Sequence, residues 1–504
     1  MSGFFDATQD GVTTDSADFV VVGSGAGGGA AARALAVAGH SVVVLEDGPP
    51  FSAATTGPIA HESMVRLCRH KGQFAALGRA AIPILQGRCV GGTTAINSAI
   101  IWRLPGAVLK RWHHEHGLAD DLPEAALERA YELLEREMHV QAVQPEAESG
   151  SDRLMRAGAM ATDLSHQAIR RSERGCRGSS RCLHGCPNDA KQSTAINFLR
   201  VATEHGASVY AHSEVRRVHV EGGRAAAVSG RIGGSGSQKG RRFRVAARRA
   251  VVLAASVIQT PNLLRRSGIA RGSEALGEHF MAHPGTSVMA LYRAPVHMWN
   301  GAAQGYEVTG LRDRLGIKLE SINVPPEVVA GRLPGAGQRL RAYLERLNHV
   351  AAWAVAVRMD AEGTVRPSFI QGDSVRYTPT EHDMWRMREG MKRTAELHFL
   401  AGAEEVLSGV HGMPERLTGP EQLHWYDEAS LDPRCYQIVA THLFGTCRAG
   451  SDARTAVVDG RLQVHGVPGL HVMDASVFPS NTGVNPQHSI MAVATVAAER
   501  LAGG

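Results

Sequence analysis

Three cysteines stand within eleven positions in CRGSSRCLHGC, residues 176–186, and Pro187 follows at once. The whole chain has only seven cysteines in 504 residues, so the grouping asks for a chemical reason. Cysteine thiolates followed by proline are a recognised iron–sulfur arrangement, which makes Cys176, Cys182 and Cys186 candidate cluster ligands. With His184 they could hold zinc instead, although the spacing is not that of a common finger. A redox pair and reduced thiols packing a loop are the other readings. A second constellation lies near the front. Gly23, Gly25 and Gly28 form G-x-G-x-x-G, and Glu46 follows eighteen residues after the last of them. Such glycines allow a tight turn, the close approach of a pyrophosphate to backbone N–H groups, and helix–strand packing.

Those glycines work only between particular elements. FVVV (19–22) is a short β-branched run, the pattern of a buried parallel strand. The Ala-rich stretch that follows is a strong helix former, and Gly39 marks its end. SVVVLE (41–46) is a second buried strand ending on Glu46, placed to accept from a ribose 2′-OH. The helix N-terminus adds partial positive charge for phosphates. The unit binds a dinucleotide, and by itself does not separate NAD from FAD.

Bulk properties exclude other classes. Hydrophobic residues are 43% and charged residues 20%, ordinary for a globular chain with a large core. The net charge of +5 comes without a basic block interleaved with aromatics, so no nucleic-acid partner is expected. VAAWAVAV (350–357) and similar runs are too short to span a bilayer. Residues 1–16 read as a loose polar lead-in without a basic n-region, and the low, odd cysteine count favours a reducing cytoplasm. GGSGSQKG (233–240) reads as a surface hairpin loop.

Further motifs are spread along the chain: GRCVGGTTAIN (87–97), VVLAASVIQTPNLLRRSGI (251–269), EHFMAHPGTSV (278–288), HLFGTCRAG (442–450) and a terminal VVD…DAS…NP series. Together with the N-terminal βαβ unit, they resemble the glucose–methanol–choline (GMC) flavoprotein oxidoreductases over nearly the whole chain. The resemblance implies an α/β plus antiparallel β fold: a Rossmann-like FAD-binding domain and a substrate domain of antiparallel sheet with helices. The flavin domain would take residues 17–105, 190–275 and 432–504. The substrate domain and cysteine-bearing connector would take 106–189 and 276–431.

The resemblance further implies FAD, held by Gly23, Gly25, Gly28 and Glu46 at its adenosine and pyrophosphate end and met by Val215 at the adenine. Gly91, Gly92, Thr93 and Asn97 would line the isoalloxazine, with Asp474 on the ribityl side and Pro486 nearby. Covalently flavinylated relatives carry histidine where this chain has Ile96, so non-covalent FAD is expected. His442 would be the base in oxidation of an alcohol to aldehyde or ketone by hydride transfer to flavin N5, and Asn485 the hydrogen-bond partner of the substrate oxygen. Asn485 could instead cap the final helix, and His488 is the runner-up for proton handling. In related sugar dehydrogenases the C-x₅-C-x₃-C-P spacing looks like a [3Fe–4S] site. Two alternatives follow: a non-redox lyase of the same fold, or a catalytic subunit passing electrons through a cluster to a cytochrome partner. Otherwise the acceptor would be O₂, a dye or a quinone. The stretches AWAVAV and NVPPEVV suggest an apolar wall suited to a hydrophobic alcohol.

Overall fold

The computed structural model describes residues 3–57, 59–233, 240–369 and 372–503. Its scaffold is two sheets that share a cavity. The first, eight-stranded among the described residues, runs in the order Phe4–Asp6, Ser208–Ala211, Val42–Leu45, Ser16–Val22, Arg242–Leu253, Arg224–Ile232, Ser213–Glu221. Leu470–Val472 also pairs with Arg242–Leu253. Its centre is parallel, with Phe19–Val22 aligned to Val42–Leu45 on one side and to Ala250–Leu253 on the other. Continuous Val/Leu burial on both faces is what a parallel strand covered on both sides requires. Helix Ala26–Val37 covers this sheet, and the last helix, Gln487–Gly503, packs against it through small side chains.

Phe4–Asp6, expected in a loose lead-in, is a parallel edge strand on Ser208–Ala211. The cause is local: the Phe5 ring stacks on Tyr210 at 5.0 Å, and the Tyr210 hydroxyl meets Thr13 and Thr14. The expected hairpin loop at 233–240 falls largely outside the described residues.

The second sheet, twelve-stranded among the described residues, is mostly antiparallel. Its central order is Ala81–Ile84, Val439–Phe444, Met281–Leu291, Val350–Val357, Ile317–Ile322, Tyr306–Val308. It therefore draws strands from 74–84 and 439–444, inside segments assigned by sequence to the flavin side. A short helix, Arg312–Leu315, closed by Gly316 in the left-handed region, leads into strand Ile317–Ile322. Helix Glu381–Leu400 lies on this sheet, its N-terminus fixed by a capping box between Thr380 and Asp383. No helix among the described residues is long and apolar enough to cross a membrane.

Candidate active site

Between the sheets lies a cavity of about 1130 Å³. That exceeds the space a single drug-sized ligand needs and leaves room for a dinucleotide beside a substrate. One wall is the glycine turn. Gly23 has φ +98°, and a Cβ there would overlap the Ala254 carbonyl. Gly28 faces away from the cavity; a Cβ would overlap the Gly23 carbonyl, so its role is helix–strand packing. A Cβ on Gly25, the N-cap of helix Ala26–Val37, would meet nothing within 4 Å. The open face of Gly25 and the free N–H groups of the first turn therefore line the cavity, as a pyrophosphate site requires. Glu46 is buried there and accepts from Ser24 N and Oγ at 3.1 and 2.6 Å and from Gly48 N at 2.9 Å. Burial raises its pKa against those bonds, and a carboxylate with three donors keeps capacity for one ribose hydroxyl.

Val215 lines the same wall, and Gly92, Thr93 and Asn97 line the next part of it. Gly91 does not; its N–H donates to Ser24 Oγ at 2.9 Å and ties this loop to the glycine turn. Asn97 is oriented twice: Oδ1 accepts from Ala99 N at 3.0 Å, and Nδ2 donates to Gln487 Oε1. Asp474 is buried and accepts from Ser256 N, Thr260 Oγ1 and Ser476 N. Burial still raises its pKa. The donors, the open glycine face and the volume fit the FAD that the sequence implies.

The opposite wall is one face of the second sheet. Alternation along Met281–Leu291 and Val350–Val357 points His283, Gly285, Ser287 and Met289, with Ala352, Ala354 and Ala356, into the cavity. The small residues leave the space. His442 and His283 are directly paired across antiparallel strands, with Nδ1 to Nδ1 at 3.2 Å. One proton joins them, so the two rings cannot take up their tautomers independently. Burial, then the Lys318 ammonium, holds the His442 pKa down to about 3. Burial, then His442, pushes His283 well below its ordinary value.

Asn485 and Pro486 also line the cavity. Asn485 does not cap the last helix by its side chain; Oδ1 accepts from Lys318 Nζ, and the Pro486 carbonyl accepts from Ile490 N. Lys318 is 1% exposed and sits 2.6 Å from Glu320 and 3.4 Å from Glu307, two carboxylates directly opposite each other on neighbouring strands. His488 lies elsewhere: it is buried against Tyr131 at 4.9 Å and reaches Glu135 at 3.3 Å, a packing role. Lys318, His283, Glu320 and Gln487 escaped the sequence reading. Only the i, i+2 alternation of Lys318, Glu320 and Ile322 hinted that polar groups share an inward face.

The cysteine loop lends Leu183 and His184 to the cavity lining, but its thiols lie outside the cavity. Cys176, Cys182 and Cys186 line a separate cavity of about 10 Å³, the room of one water. All three thiols are free, and Cys182 Sγ accepts from Arg171 Nη2 at 3.3 Å. Burial opposes the Cys182 thiolate, but the Arg171 and Lys191 cations outweigh it and lower the pKa. Among the described residues no group of three or more His, Cys, Asp or Glu is gathered so as to hold a metal ion. The arrangement fits neither an iron–sulfur cluster nor zinc with His184, whose ring lines the large cavity instead. The loop has a further connection to the site: Lys191 Nζ donates to the carbonyls of Ala95, Asn97 and Cys182 at 2.7–2.9 Å, fastening it to the cavity-lining loop around residues 92–97.

Comparison with known proteins agrees with this geometry. Residues 17–285 match the N-terminal GMC oxidoreductase profile, and residues 362–494 the C-terminal one. An uncharacterized GMC-type oxidoreductase of Mycobacterium tuberculosis (strain CDC 1551 / Oshkosh) is 36% identical over 497 residues, 98% of this chain and 77% of that one. A long-chain-alcohol oxidase of Arabidopsis thaliana is 26% identical over 523 residues, 96% of this chain and 66% of that one. The crystal structure of pyridoxine 4-oxidase from Mesorbium loti superposes with a TM-score of 0.69 at 18% identity, covering 96% of this chain and 98% of that one. With a dinucleotide cradle facing a histidine pair across one cavity and both family profiles matched, the chain belongs to the GMC oxidoreductase family of flavoproteins.

Proposed function

We propose that the protein oxidises the CH–OH group of a hydrophobic alcohol to an aldehyde or ketone, with His442 as the base and non-covalent FAD. The observation that carries this reading is the placement of His442 and Asn485 on the cavity wall opposite the dinucleotide cradle. When bound, FAD supplies the acceptor for the substrate hydride. The hydride leaves only as the hydroxyl proton does, so the chain must provide a proton acceptor, help worth about 10²–10⁴-fold. With the shared proton on His442 Nδ1, donated to His283, His442 Nε2 keeps a lone pair and takes the hydroxyl proton. Asn485 binds the substrate oxygen. Val324, Val328, Val329 and Ile322 give the cavity an apolar wall, which favours an alkyl or ring substrate over a sugar. Ile96 at the flavin-facing loop offers no nucleophile for covalent attachment. Since the cysteine loop does not fit a cluster, O₂ or a small quinone is favoured over a cytochrome as acceptor.

The test is the absorption spectrum of the purified holoprotein, taken anaerobically before and after adding 1-decanol, benzyl alcohol and cyclohexanol. Bleaching of the flavin bands by an alcohol supports the reading. Alcohols that perturb the spectrum without reducing it would favour a non-redox lyase instead.

A further inference from the structure

The geometry points to Lys318 as a positioning residue that fixes the Asn485 amide as a hydrogen-bond donor to the substrate oxygen, an inference resting on the alcohol-oxidation reading above. Lys318 does not line the cavity; it stands behind Asn485. An ammonium has three donors and no acceptor, so the Asn485 atom against it must be Oδ1. The usual ambiguity of amide orientation is thereby removed by chemistry. With Oδ1 turned to Lys318, the NH₂ group of this cavity-lining side chain is left for a ligand, and no hydrogen bond among the described residues engages it.

The cation itself is strongly held. Glu320 and Glu307 pair with it, and the Trp102 ring lies 5.3 Å from its Nζ. Glu307 is also fixed by donors from Trp102 Nε1 at 3.1 Å and Gln167 Nε2 at 2.8 Å, and Glu320 by Gln304 Nε2 at 3.2 Å. An ordered, buried ammonium polarises the amide it binds, and the polarised N–H bonds are stronger donors to an oxygen gaining negative charge. This divides the labour on the substrate hydroxyl. Asn485 donates to its oxygen, while His442 accepts its proton. Neutralising the Glu307–Glu320 pair would by itself explain a buried lysine, but not why its remaining contact is with the site asparagine.

The experiment uses the holoprotein and variants K318M, N485A, K318M/N485A and N485D. Sodium acetate serves as an oxyanion probe, titrated against the flavin absorbance, beside anaerobic flavin reduction by whichever alcohol bleaches the wild type. Hydrogen bonds to charged groups predict a dissociation constant for acetate roughly ten- to a hundred-fold higher in K318M and in N485A. If Lys318 acts through Asn485, the double variant binds no more weakly than N485A. N485D keeps the Lys318 contact and presents an acceptor, so its melting temperature holds while acetate binding is lost. Wild-type acetate affinity in K318M or N485D, additive losses, or no acetate binding by the wild type would each overturn the inference. N485D decides it if K318M does not fold. If the acetate pattern holds but no alcohol reduces the wild-type flavin, the oxidation reading fails and the positioning role stands.

Discussion

The neutrality of His442 gives the sharpest quantitative test. Burial and Lys318 bring its pKa to about 3, against an ordinary histidine value near 6.5. At pH 5 an ordinary histidine would be about 97% protonated and would lose roughly thirty-fold in available base. His442 would be only about 1% protonated, so the base is present throughout the acid range. The assay is single-turnover anaerobic flavin reduction, followed by stopped flow after a brief jump to each pH between 5 and 8. The expected rate changes by less than about two-fold across that range. A one-proton acid limb with its midpoint between pH 6 and 7 would refute the reasoning. His442→Gln should lower the rate by about 10²–10⁴-fold at every pH. The same burial has a stability cost with a definite sign. Because the folded pKa values of His442 and His283 are depressed, the unfolded chain binds more protons below pH 6.5. Stability therefore falls as pH falls, by about 2 kcal/mol between pH 8 and pH 5 from His442 alone, with His283 acting in the same direction. Denaturant melts at the two pH values measure this directly.

Other expectations follow from single contacts. Lys191→Met removes the donor shared by three carbonyls and should cost about 3 kcal/mol or more in denaturant unfolding, with lower flavin content on purification. Gly27→Ala puts a Cβ onto the Met473 carbonyl and should prevent helix Ala26–Val37 from seating, seen as loss of bound flavin. Iron and acid-labile sulfide analysis of anaerobically prepared protein should find neither, and Cys182→Ser should leave the flavin spectrum unchanged; stoichiometric iron would overturn the account of the cysteine loop. His488→Phe should keep turnover within a few-fold, since that ring packs on Tyr131 outside the cavity.

Consecutive residues were enough to place the glycine turn and Glu46 on one cavity wall. Gly23, Gly25 and Glu46 act through local geometry, a turn, a helix start and a strand end, and local geometry is encoded in consecutive residues. His442 and Asn485 were legible only through resemblance, because nothing within a few positions of either distinguishes a reactive side chain from a structural one. Even then the second ring of the pair was missed. His283 is 159 residues from His442, and only the strand register brings their Nδ1 atoms to 3.2 Å. The alternative reading of Asn485 as a helix cap was open for the same reason: a cap is a local possibility, whereas the contact with Lys318, 167 residues away, exists only in the tertiary structure. The cysteine triplet shows the converse. Its spacing suggested a metal, but ligands must converge in three dimensions, and here Arg171 meets the Cys182 thiol while Lys191 binds the Cys182 carbonyl. Spacing along the chain sets which groups are neighbours; the packing of two sheets decides which charges face them, and those charges decide the chemistry.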